Sequence, residues 1–178
     1  NNTKFDENGV QYIVNPYDEW YALVRALELV EAQGGSVTTI TVGTALDDPT
    51  IRKALAIGAN DAVRIDADPS DPHFVAKQIA EYAKNENYDI ILTGKETINY
   101  NGSQIGGMIA EMLNTPFVSL ATKLEVNNNV ATLERDVKGG VEVVEVITPF
   151  VLSAAKGMAE QRIPCLLYTS DAADDIPR

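Results

Sequence analysis

Three times in its first half this chain alternates a stretch of helical period with a short β-type run, at about thirty residues per unit, and that repetition restricts the fold more than any other feature. Asn15-Pro16-Tyr17-Asp18-Glu19 has the marks of a helix start: Asn15 to cap, Pro16 for the first turn, and two acids facing the positive end of the helix dipole. Trp20, Leu23, Val24, Leu27 and Val30 recur at helical spacing until Gly34-Gly35, and Ser36 to Val42 then alternates as a strand. Asp48-Pro49 opens a second helix with an apolar face of Ile51, Leu55 and Ala54 that closes at Gly58, followed by a short strand from Ala62 to Ile65. Asp71-Pro72 opens a third, carrying Val75, Ile79 and Tyr82, and Asp89-Ile90-Ile91-Leu92-Thr93 is a continuous apolar run of buried-strand type. The expected fold is α/β, a doubly wound and mostly parallel sheet with helices on both faces and right-handed crossovers.

From Lys123 the period changes. Leu124 to Val126, Val130 to Val137 and Val141 to Ile147 alternate around Asn127-Asn128-Asn129 and Gly139-Gly140, which reads as a β-meander or hairpins. Pro149-Phe150-Val151-Leu152-Ser153 resumes the buried-strand style, so the hairpin is expected as an excursion from the sheet before its last parallel strand. With 178 residues, 45% of them apolar, the chain suits one such domain and contains no apolar stretch of membrane-spanning length. A net charge of -12 argues against a nucleic-acid binder, since phosphate neutralisation needs clustered Lys and Arg. The single cysteine, Cys165, leaves neither a disulfide framework nor a thiolate metal site within the chain, which suits a reducing cytoplasm.

The segment best suited to chemistry follows the strand that ends at Thr93. Gly94, Lys95, Glu96, Thr97, Ile98, Asn99, Tyr100, Asn101, Gly102, Ser103, Gln104 and Ile105 join that strand's carboxyl end to the start of a helix, with Gly106-Gly107 beyond. Ligands bind at this edge of doubly wound sheets, where a helix amino end offers unpaired N–H groups and a positive dipole to phosphate. Gly102, Gly106 and Gly107 allow close backbone approach, and Ser103 and Gln104 supply donors. On spacing alone a plain strand-to-helix turn explains the same residues equally well, and the segment matches neither the Rossmann fingerprint nor a Walker loop. No catalytic constellation accompanies it. His73 falls in the first turn of a polar helix without an orienting carboxylate, Trp20 belongs to an apolar stripe, and Asp89 and Glu96 are single acids.

Val14-Asn15-Pro16-Tyr17-Asp18-Glu19, Ile51 to Ala59, the loop from Gly94-Lys95, and Leu133 to Glu142 running on to Pro149 together resemble, in the same order, the beta (small) subunit of electron transfer flavoproteins. The resemblance covers the chain from about Asn2 to Pro164. It implies the adenine-nucleotide hydrolase-like version of the doubly wound sheet, holding one structural AMP, while an FAD sits mainly on an alpha subunit and touches this one at the interface. Carried over by position, Asn15, Pro16, Tyr17, Asp18, Val42 and the loop from Gly94 to Ile105 surround the AMP, with Tyr17 toward the flavin. The implied activity is electron carriage in a heterodimer, from acyl-CoA and related flavin dehydrogenases to a quinone-linked oxidoreductase, by a bacterial cytoplasmic subunit with no catalytic constellation of its own. Gly157 to Pro164 aligns with the loop by which the family engages its dehydrogenases.

This sequence departs from the pattern at several places. Asn99, Tyr100 and Asn101 stand where the family usually has acids, and Lys138 where it often has Asp. Some relatives hold a second FAD in place of AMP, and Ser103-Gln104-Ile105-Gly106 is compatible with either. The family's opening strand, central in its sheet, has no counterpart before Asn1, and Cys165 to Asp175 resembles the translation of a transposase-type sequencing adapter. One nucleotide-binding domain over 1–164 lacking its first strand, and a non-native tail over 165–178 that packs against nothing, are therefore expected. The alternative function is a free-standing nucleotide-binding or stress-response module of the same fold.

Overall fold

The computed structural model describes residues 18–97, 101–160 and 162. The alternation read from the sequence is present: α1 (Asp18–Gln33), β1 (Thr38–Gly43), a 3₁₀ turn (Ala45–Asp47), α2 (Asp48–Ile57), β2 (Asp61–Asp66), α3 (Pro72–Ala83), β3 (Ile90–Gly94) and α4 (Ile105–Leu113). Then come β4 (Phe117–Asn127), β5 (Val130–Val137), β6 (Gly140–Ile147) and β7 (Phe150–Ala154). Local chemistry sets the ends. Asp71 caps α3 by accepting from the His73 N–H at 2.9 Å, and Gly34, at φ +84°, ends α1 with its N–H on the Val30 carbonyl at 2.8 Å.

The strands form a five-stranded sheet ordered β3-β7-β4-β5-β6 and a two-stranded parallel sheet of β1 and β2. β7 runs parallel to both β3 and β4, and the β4-β5-β6 meander is antiparallel. All of β7 is buried, as expected of a strand covered on both faces. Phe150, Leu152 and Ala154 pack with Tyr21 and Ala22 of α1, whereas Val151 faces Ala76 of α3 and Ile109 and Ala110 of α4. The sheet is thus doubly wound, with α1 on one face and α3 and α4 on the other.

Two details need correction. The meander stands before the last parallel strand as expected, but β4 begins at Phe117, ahead of Lys123, lies beside β7, and carries the meander as the continuing edge of the same sheet. Its first half escaped the alternation pattern because the register shifts between Val118 and Ala121, where Leu120 takes φ +57° and donates its N–H to Ser153 Oγ at 3.0 Å. Beyond that bulge β4 leaves β7, and side chains of α1 serve its free carbonyls. Arg25 donates to Leu124 O and Gln33 Nε2 to Val126 O at 2.8 Å. The second correction concerns α2, whose packed face is Ala54 with Ile57 against Leu23 and Leu27, while Leu55 points outward.

Candidate functional site

The carboxyl end of β3 meets the amino end of α1. Gly94 closes the strand, and a Cβ placed there would stand 2.8 Å from Glu19 Cδ, the movable end of that side chain, and 3.2 Å from Asp18 Cβ, so glycine lets α1 approach closely. Asp18 is buried, in the first turn of α1, where the helix dipole favours its charge. Lys95 follows directly, its ammonium 3.1 Å from the Glu96 carboxylate. That hydrogen bond holds the Lys95 pKa above its ordinary value against the opposing effect of partial burial, and the charge of Asp18 adds to the rise. Three acids and one base therefore gather at this end of β3.

The loop then closes on itself. The Thr97 N–H donates to Gly102 O at 3.0 Å and the Asn101 N–H to Thr97 O at 2.7 Å, with Asn101 at φ +49°. Ser103 and Gln104 are exposed, Gln104 is the N-cap of α4 without a side-chain capping bond, and the first intrahelical bond runs from Met108 N–H to Gln104 O at 3.0 Å. The N–H groups of Ile105, Gly106 and Gly107 accordingly have no acceptor within the helix. An anion placed here would meet donors at the α4 amino end and carboxylates at the α1 side of Gly94. The 3₁₀ turn after β1 is a second local structure at the same edge type: Thr44 caps it, and Asp47 accepts from the Thr44 N–H at 2.9 Å.

Of the residues expected at the site, the structure brings Asp18, Gly94, Lys95 and Glu96 together and orders Thr97, Asn101, Gly102, Ser103, Gln104 and Ile105 into one loop and helix start. Val42 is buried at the carboxyl end of β1, in the two-stranded sheet. Asn15, Pro16, Tyr17, Ile98, Asn99 and Tyr100 lie outside the described residues, as do 165–178. One role changes. Gly106 serves helix-to-sheet packing, since its Cβ would fall 2.7 Å from Thr93 Oγ1 and 3.0 Å from Phe117 Cε2. Sequence reasoning also missed Glu19 over Gly94, for which the only signal was a strand-ending glycine, and the Arg135–Glu142 ion pair at 2.6 Å across β5 and β6. His73 is exposed, and among the described residues no group of His, Cys, Asp and Glu is arranged to hold a metal. No helix among them is long and apolar enough to cross a membrane. A cleft of ≈ 210 Å³ lies at the opposite, amino end of β3 and β7, lined by Ile91, Leu113, Thr115 and Phe150 among others, away from this chemistry.

Doubly wound α/β domains with a glycine-marked loop from a strand's carboxyl end to a helix start form the class that takes nucleotides and flavins at that edge. Within that class, a family model described as the electron transfer flavoprotein domain matches residues 2–173, and the chain belongs to that family. Over 167 residues it is 37% identical to the electron transfer flavoprotein subunit beta of Bacillus subtilis (strain 168), covering 92% of this chain and 65% of that protein. The subunit beta of Thermoanaerobacterium thermosaccharolyticum is 34% identical over 161 residues, covering 89% and 62%. Protein FixA of Azotobacter vinelandii is 32% identical over 168 residues, covering 86% and 58%. The chain thus spans less than two thirds of the length of these relatives.

Proposed function

We propose that this polypeptide is the nucleotide-holding, beta-type subunit of a heterodimeric flavin electron carrier. The observation that carries the reading is the pairing of a glycine-dependent acidic corner at Gly94 with a donor-rich helix start at Ile105, in a chain whose relatives are named electron transfer flavoprotein subunits. Those residues suit an adenine nucleotide in a particular sense. The α4 amino end, with the exposed Ser103 and Gln104, would hold the phosphate of AMP, and the carboxylates beside Gly94 would take ribose or amide donors, since a phosphate there meets like charge. Asn15, Pro16, Tyr17, Val42, Ile98, Asn99 and Tyr100 would complete the enclosure.

An FAD shared with an alpha subunit would supply the electron chemistry, and this chain's residues would bind, orient and exclude water. Electrons would pass from acyl-CoA and related flavin dehydrogenases toward a quinone-linked oxidoreductase, in a bacterial cytoplasm. The polypeptide itself would turn over no substrate. A second FAD in the AMP position is the other reading of the same loop, and a free-standing nucleotide module is the alternative without a partner.

Two measurements test this. Nucleotide released from purified protein by acid should be AMP, and Ser103→Asp should deplete it; full AMP occupancy in that variant rejects the phosphate position. Mixed with an alpha subunit and FAD, the chain should form a yellow heterodimer. A colourless monomer that binds ATP would favour the free-standing module.

A further inference from the structure

The cleft at the amino end of β3 and β7 takes no part in the candidate nucleotide site, and its wall holds a polar atom that the fold leaves unanswered. Its volume is ≈ 210 Å³, and Ile91, Leu113 and Val151, which belong to one apolar cluster, give it its sides. Thr115 lines it as well. The Thr115 Oγ1 atom is buried and has no hydrogen-bond partner among the described residues. A hydroxyl in that state has given up its bonds to water and received none in return, which native interiors avoid.

The local structure has no need of a hydroxyl there. α4 ends at Leu113, Asn114 takes φ +54°, and two backbone bonds reverse the chain, from the Asn114 N–H to Glu111 O at 3.1 Å and from the Thr115 N–H to Ala110 O at 3.0 Å. In a helix ending of this kind the residue after the left-handed one is ordinarily apolar and rests on the last turn. Valine, with the branching of threonine and no oxygen, would meet that requirement. A polar residue where the local rule asks for an apolar one, in the wall of a cleft, is the sort of departure that marks a binding site.

Size and charge define what fits. A cavity of about 150 Å³ lined by apolar side chains holds benzene, so the slot here takes one ring with a small substituent. Among the described residues Lys84 is the one charged side chain lining the cleft, and its ammonium is held 2.7 Å from Glu81, which leaves no free charge to balance that of an ionised ligand. We propose that the cleft binds a neutral single-ring molecule bearing one hydroxyl or carboxamide, with its ring between Ile91, Leu113 and Val151 and its polar group on Thr115 Oγ1. A rotation about the Thr115 Cα–Cβ bond turns the hydroxyl, both donor and acceptor, into the slot. The cleft and Gly94 lie at opposite ends of β3, so this inference does not rest on the nucleotide reading and neither test bears on the other.

The probes are phenol and benzamide, with toluene and benzoate as counterparts, titrated into the full chain and followed through the methyl resonances of Ile91, Leu113 and Val151. Phenol and benzamide should shift these signals with a Kd of about 1 mM or below, and toluene and benzoate should bind at least about fivefold more weakly, the scale of one hydrogen bond. Thr115→Val should abolish the preference for phenol over toluene, and Thr115→Ser, which keeps the hydroxyl, should retain it. Because the oxygen is unpartnered in the unliganded chain, Thr115→Val should also leave the thermal midpoint equal or higher. A lowered midpoint would show that the hydroxyl has a structural partner and would overturn the assignment. Equal binding of phenol and toluene, shifts confined to other parts of the chain, or loss of the phenol shifts when an alpha subunit is added would each do the same.

Discussion

Gly106 and Gly107 stand side by side in the first turn of α4, yet alanine should have opposite effects at the two positions. At Gly106 a new Cβ falls 2.7 Å from Thr93 Oγ1, 3.0 Å from Phe117 Cε2 and 3.3 Å from Phe117 Cζ. Thr93 Oγ1 cannot retreat freely, since it donates to the Leu152 carbonyl at 3.1 Å and Leu152 is fully buried in β7, and the Phe117 ring packs against the Ile109 cluster. Overpacking of this kind costs about 1–3 kcal/mol, while replacing a helical glycine by alanine returns about 0.5–1 kcal/mol, so the net loss should be about 1–2 kcal/mol. At Gly107 the nearest atoms are Phe117 Cε1 at 3.6 Å and Cδ1 at 3.7 Å, ordinary contacts, so only the helical gain applies. For a domain of this size that means a midpoint lower by about 2–8 °C for Gly106→Ala and higher by about 1–4 °C for Gly107→Ala, read by circular dichroism on heating. A double variant with Thr93→Ala should recover part of the Gly106→Ala loss, with a coupling of about 0.5–2 kcal/mol. Gly106→Ala at or above wild-type stability would show that α4 is not seated on β3 as described.

Other perturbations read different parts of the molecule. Leu152→Ala, in a strand buried on both faces, should cost about 2–5 kcal/mol by urea unfolding, and a loss under 1 kcal/mol would remove β7 from the centre of the sheet. Arg162 donates to both carboxylate oxygens of Glu31 at 2.6 Å and by that hydrogen bond holds the Glu31 pKa below its ordinary value. The resulting stabilisation is present above the unfolded-state pKa and is lost as pH falls through the folded one; Arg162→Met should erase that acid-side slope, and unchanged slopes would discount the pair. Among the described residues β1 pairs only with β2, and β3 only with β7. Amides on their second sides should therefore exchange faster than those of β7, and equal protection by mass spectrometry would mean that something else satisfies them.

What the sequence made legible follows from which physical signals are local. Caps and strand periods depend on neighbours in the chain, so Asp71 before Pro72 and the run ending at Thr93 announced α3 and β3 within a residue or two. The bulge at Leu120 depends on a hydroxyl thirty-three residues away, and without Ser153 in view the first half of β4 reads as irregular. For the same reason the place of β7 between β3 and β4 was not to be had from periodicity, because Phe150 to Ala154 looks alike wherever it is buried. At the candidate site the glycines were visible and their reasons were not: Gly94 answers to Glu19 and Gly106 to Phe117, both distant in sequence.

The distribution of charge separates two kinds of acid in this fold. Around Gly94 the acids are held in place: Asp18 is buried at a helix start, and Glu96 is paired to Lys95. Carboxylates fixed that way would reject an anion and accept hydroxyl or amide donors, so on the proposed nucleotide reading a phosphate would be placed at the α4 amino end. On the outward face of the meander Asp136 of β5 and Glu145 of β6 are exposed and make no ion pair among the described residues, beside the exposed Val141, Val143 and Ile147. A buried or paired acid is fixed in position, whereas an exposed, unpaired one is free to turn toward whatever charge approaches it. Removing charge at Asp18 should therefore disturb the first turn of α1 beside Gly94, whereas reversing it at Glu145, exposed and unpaired among the described residues, should leave stability within about 0.5 kcal/mol by urea unfolding.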